Sequence, residues 1–171
     1  MRVPAAALAA LLLALPAAAQ TTAPSPTAQA INAQDRQFMA KDAEGGLYEI
    51  AIARLAQQRS SRDDVKAYAA RVVADHATYN DALQALAHSK GITLPMAMTS
   101  EDQARLALME SATGAFPDTM FIQEAVRINE EDKKAAGEEK ARTSDADIKA
   151  FLAKFEAMDA EHERMASALR Q

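Results

Sequence analysis

Apolar residues recur along this chain at intervals of three and four rather than two, which predicts amphipathic helices and no strands. A first helix is expected from about Asn32 to Gln58, with Phe38, Tyr48, Ile52 and Leu55 on its apolar edge. Gly45-Gly46 interrupts its middle, either to let a neighbouring helix approach or to kink it, at about 1 kcal/mol per glycine relative to alanine. A second helix should follow Ser60 or Ser61 as N-cap, with Asp63 and Asp64 at the positive end of its dipole. Val65, Tyr68, Val72, His76, Leu83 and Leu86 carry its stripe. Lys90 falls in the last turn, and Gly91 is placed to close it.

A shorter helix is expected to begin near Thr99 or Ser100, to carry Leu106 and Met109 inward, and to stop at Gly114. Pro117 suits the start of the next, which is expected over about Asp118 to Arg142. Phe121 or Ile122, Ala125, Ile128 and Ala136 form its stripe, and the mixed-sign run from Glu130 to Lys140 reads as a solvated face. The last helix is predicted to start at Ser144, with Asp147 completing a shortened capping box. Its buried edge runs through Ile148, Phe151, Leu152, Phe155, His162, Met165 and Leu169. Four long amphipathic helices and one short extra helix predict an all-α, antiparallel four-helix bundle.

The N-terminus has a different pattern. Arg2, the apolar run from Ala5 to Leu15, Pro16 and the small residues Ala17-Ala18-Ala19 read as a secretory leader over 1–19, cut after Ala19. That run is shorter than the ~20 residues a membrane-crossing helix needs. Residues 20–31 are rich in Thr, Pro, Ser and Ala and read as a disordered spacer, leaving 32–171 as the bundle domain. The expected location is the periplasm or the exterior, with peripheral envelope association as a variant and no transmembrane segment in the mature chain.

Composition narrows the function classes. The chain has no cysteine, which excludes disulfides, thiolate catalysis and Cys-based zinc sites. Loss of the leader takes away only Arg2, so the net charge of −5 becomes −6. An acidic surface without a clustered basic face argues against nucleic acid. No G-x-S-x-G element or Gly-rich phosphate loop is present in the sequence.

Three segments carry a resemblance: FMAKDAEGGLYEIAIARLA, VKAYAARVVADHATYNDAL followed by GITLP, and DADIKAFLAKFEAMDAEHERMASAL. With the Asp75-His76 and Glu161-His162 pairs, they resemble a family of bacterial exported proteins known as domain of unknown function 4142, over Phe38 to Leu169. The resemblance implies a ferritin-like helical bundle and an envelope setting; the family has no established common activity. The chain departs from the family pattern at FPDTMF, where Phe121 stands in an aromatic position, and at Ile128-Asn129, where relatives commonly carry an Asp-His pair.

His76 and His162 are the candidate chemical residues, because each lies on the apolar stripe of its helix. Asp159 precedes His162 by three residues on the same face, and Glu49 lies between Gly45 and Ile52 on the first helix. Glu49, His76, Asp159 and His162 together form a candidate transition-metal set for Fe, Zn, Mn or Cu. A di-iron centre asks for Glu from two helices and Glu-x-x-His from the other two. Here Val73 stands three before His76, and Asp159 is only a shortened match. The simpler reading is that the histidines fix packing register, with no cofactor. His88 reads as a C-terminal cap, and Met96 and Met98 as cover for a bundle end rather than copper ligands.

The sequence leads to the expectation of a non-catalytic exported bundle that acts by binding a protein or envelope partner. The alternative is a metal protein with a redox or storage role.

Overall fold

A computed structural model describes residues 31–170 of the chain. The leader expected over 1–19 and the spacer up to residue 30 lie outside the described residues. The described chain is all-helical: α1 (Ala33–Arg59), α2 (Asp63–Ser89), α3 (Ser100–Glu110), α4 (Asp118–Arg142) and α5 (Ala146–Ala168). No strand occurs among the described residues.

Local chemistry sets these boundaries. The Asn32 side chain accepts from the Asp35 amide at 2.8 Å and opens α1. Thr99 caps α3 in the same way through Asp102. Gly91, at φ +67°, closes α2: Ile92 donates to the Ala87 carbonyl and Gly91 to that of His88, the paired bonds of a Schellman stop. Two expected caps differ. Ser60 ends α1 and uses its hydroxyl on Asp118 (2.5 Å) and to accept from the Arg62 amide, so Arg62 opens α2 without a side-chain cap. At α5 the cap is Asp145 and not Ser144, because its carboxylate accepts from both Asp147 and Ile148 amides.

Cross-links between helix ends fix the topology. Gln34 near the start of α1 reaches Glu139 near the end of α4, while Ser60 beyond the end of α1 reaches Asp118 at the start of α4. Lys90 at the end of α2 bridges Asp145 and Asp147 at the start of α5 (2.6 and 2.9 Å). Each long helix therefore runs antiparallel to both neighbours in the ring α1–α2–α5–α4. Since α2 and α4 run the same way, the segment between them must traverse the bundle's length. This one long crossover carries α3 against α1, a connectivity that ferritin-like folds also use.

The core has two apolar halves. Tyr48, Ile52, Val65, Tyr68, Val72 and Phe121 centre one; Met39, Tyr79, Leu83, Ile148, Phe151 and Phe155 centre the other. Each large side chain so buried contributes roughly 1.5–3 kcal/mol. Ala53, Ala56 and Ala69 are buried with almost no exposed area and let α1 and α2 approach closely. Gly46 contributes to the same approach: a Cβ there would run into the Asn80 side chain, whereas one on Gly45 meets nothing within 4 Å. The helix continues through the glycine pair, so close packing and not a break is its role.

Candidate functional site

Between the two apolar halves, at mid-height of all four long helices, lies a polar layer. Glu49 of α1 and His76 of α2 are each 6% exposed and meet at 3.2 Å through Oε2 and Nε2. His162 of α5 is 1% exposed. Its ring stacks on that of His76, with centroids 5.5 Å apart. The positions on apolar stripes carried this burial correctly.

A cavity of about 130 Å³ opens beside this layer. Glu49, His76 and Asp159 line it, joined by Asp42 from α1 and Asp132 from α4. His162 is not among the lining residues; its Nε2 instead meets Asp75 Oδ2 at 2.9 Å, and Asp75 in turn pairs with Arg71 at 2.5 Å. Three of the four candidate residues thus come together at the cavity, and the fourth stands behind them.

Asp42 and Asp132 are the residues that sequence reasoning missed. The charged run from Glu130 to Lys140 is not one solvated face: Asp132 turns into the cavity, and Glu139 is 3% exposed. Both were legible in principle. Asp42 precedes Glu49 by two helical turns on the same face, and Asp132 lies midway between the inward positions Ile128 and Ala136.

The electrostatics of the cavity are unbalanced. Burial raises Asp42 to about 7 against the pull of the Tyr79 hydroxyl, which donates to it at 2.6 Å. Burial likewise raises Asp159 to about 6, although the charge of His76 draws it down. Asp132 is held well above the ordinary carboxylate range by burial, by the charges of Glu49 and Asp42, and by a hydrogen bond with Glu49. Burial opposes charge on His76, but the charge and hydrogen bond of Glu49, with Asp42 and Asp159, lift its pKa overall. His162 moves the other way, since burial lowers it more than Asp75 raises it.

Glu124 provides the contrast. It accepts from Tyr48 (2.9 Å), Arg105 (3.1 Å) and Arg127 (2.6 Å). These partners overcome burial and hold its pKa at about 2. Glu124 is fully compensated by its partners; Asp42, Asp132 and Asp159 at the cavity are not. Their near cations are His76 and Lys41, and Lys41 is solvent-exposed. His76 also keeps its buried Nδ1 without a hydrogen-bond partner.

Chemically, the layer offers carboxylate and imidazole donors from four helices. They do not fit a di-iron centre, because Val73 supplies no acid beside His76 and His162 is engaged by Asp75. Among the described residues, no three donors already surround one point at ion-binding distance. No helix among them is long and apolar enough to cross a membrane.

An all-helical bundle with an acidic cavity at its waist is the class that fold and site define. The chain belongs to the family defined by the domain of unknown function DUF4142, whose model matches residues 19–169. No curated protein and no solved structure matches it.

Proposed function

We propose that this protein is an exported, non-catalytic binding protein whose waist cavity receives a cation. The observation that carries this reading is the set of four carboxylates, Asp42, Glu49, Asp132 and Asp159, facing one cavity with little positive charge to balance them. Taking carboxylates out of water costs several kcal/mol per ion unless a partner neutralises them. An arrangement that raises acids in a cavity at the expense of stability is a recurrent mark of a functional site. Occupancy by a cation relieves the imbalance without any bond being made or broken, and that supports binding rather than turnover as the reading.

A transition metal is the second reading, supported by His76 lining the cavity beside carboxylates, a donor set that suits Zn, Mn or Fe. The test is a thermal-shift and native-mass series with monovalent, divalent and organic cations at pH 7.5, on wild type beside Asp132→Asn. A cation that raises Tm and adds its mass to wild type, and does so less for the variant, supports the proposal. Absence of any cation that does so would sink it. Export is tested separately by N-terminal sequencing of the protein from its native cells: a start at Gln20 is expected, and an intact Met1 would count against it.

A further inference from the structure

We propose that the cation is a short unbranched aliphatic diamine, held with one ammonium group at each end of the cavity. This rests on the cation-binding reading and adds the ligand's chemical class.

The acids form two stations along the helix axis. Asp42 and Glu49 lie seven residues apart on one face of α1, which places their backbones ~10.5 Å apart at 1.5 Å per residue. Each is tied across to a different residue of α2, Asp42 to the Tyr79 hydroxyl and Glu49 to His76. Asp132 of α4 lines the same cavity as Glu49, so two carboxyls from facing helices stand at the Glu49 station. The charge is spread over a length, whereas a single metal ion gathers its oxygens at about 2.0–2.2 Å.

The space between the stations suits carbon. Phe38, Met158 and Ala136 line the same cavity and offer an apolar wall along it. The volume of about 130 Å³ compares with about 30 Å³ for each water in the liquid, room for a chain of several heavy atoms rather than a bare ion. An ammonium group brings three donors and no acceptor, which matches carboxylate stations that accept only. The lining also includes a His76 that is more than nine-tenths buried with an unpartnered Nδ1, an independent sign of a polar site built without its full complement of partners. Lys41 and Ala135, both exposed, mark where the cavity meets solvent and a ligand enters.

The experiment is isothermal titration at pH 7.5 of the isolated protein with 1,4-diaminobutane, 1,5-diaminopentane, n-butylamine, Zn²⁺ and Mn²⁺, repeated on Asp42→Asn and Asp132→Asn. A diamine is expected to bind at least about tenfold more tightly than butylamine, the factor that 1.4 kcal/mol supplies. Each variant should bring the diamine down to the monoamine's affinity. Equal affinity for diamine and monoamine overturns the two-station proposal. Binding of Zn²⁺ or Mn²⁺ without the diamines overturns it as well but leaves the cation reading intact. Silence from every ligand removes both. The wild-type comparison decides among these outcomes even if a variant fails to fold.

Discussion

His76 and His162 lie nearly parallel, their ring planes 28° apart, yet each commits its Nε2 to a different carboxylate: Glu49 for one, Asp75 for the other. Two imidazoles in contact cannot both carry charge cheaply, and their partners decide which does. Glu49 is buried with His76, whereas Asp75 already shares its charge with exposed Arg71. The result is a split, with His76 above the ordinary histidine value and His162 below it.

Histidine titration by NMR is therefore expected to give one buried ring on each side of 6.5, with His76 the higher. Because its folded pKa exceeds the unfolded one, His76 contributes stability that is full below the unfolded value and is lost as pH rises through the folded value. Asp75→Asn removes a contact that raises His162, so that ring should titrate lower still. A His162 unmoved by this change would show that Asp75 does not control it.

Asp42 makes the opposite demand. An acid whose folded pKa is raised to about 7 leaves the folded state holding a proton that the unfolded state has lost, so its cost grows as pH climbs from about 4 to about 7. Asp42→Asn keeps the shape and removes the charge. In the ligand-free protein it should stabilise by ~1–2 kcal/mol at pH 8, after discounting for solvent at the cavity mouth. It should change little at pH 4. Chemical denaturation at the two pH values checks this, and a variant less stable than wild type at pH 8 would contradict it.

A second carboxyl pair ties the start of α1 to the end of α4. Asp35 and Glu139 are 1% and 3% exposed, each has one buried oxygen without a partner, and Gln34 donates to Glu139 at 3.1 Å. Burial and the neighbouring Asp35 carboxyl raise Glu139 despite Gln34. Glu139→Gln is expected to raise Tm at pH 8 by ~2–4 °C, the shift that about 1 kcal/mol produces in a domain of this size. It should also flatten the fall in Tm between pH 5 and 8. A steeper fall in the variant would show that burial does not raise Glu139.

The adjacent glycines should separate sharply under the same substitution. Gly45→Ala enters open space in mid-helix and is expected to stabilise by up to ~1 kcal/mol. Gly46→Ala drives a methyl into the end of the Asn80 side chain, which must turn aside, so the change should forfeit that gain and cost up to ~1 kcal/mol. Equal effects at the two sites in urea melts would mean that α1 and α2 are not packed as closely as described.

Most of the fold was legible because burial in a bundle obeys helical period. Val65, Tyr68, Val72, Ile148 and Phe151 fall on predicted stripes and are buried. The stop at Gly91 follows from φ freedom that the sequence displays directly. Cap choice at Ser60 was less legible, since its hydroxyl is drawn to Asp118, a residue 58 positions away. The site was half visible. Glu49, His76 and Asp159 reach the cavity as their shared faces suggested. Asp42 and Asp132 were passed over because a charged residue on an inward arc looks like any solvated one until its neighbours are known. Asp75, adjacent to a stripe histidine in sequence, bonds to the histidine of another helix, and only the packing of α2 on α5 decides that.

The alternating directions of the four long helices have an electrical consequence at the waist. Fractional charges at helix ends act within about one turn and, with neighbours reversed, oppose one another around the ring. The middle of the bundle is thus shielded from backbone fields, and the potential inside its hollow is written by side chains alone. With four acids facing inward there, their charge is met by His76 and by retained protons rather than by the backbone. On the proposed reading, the bound cation supplies a positive charge that the backbone does not.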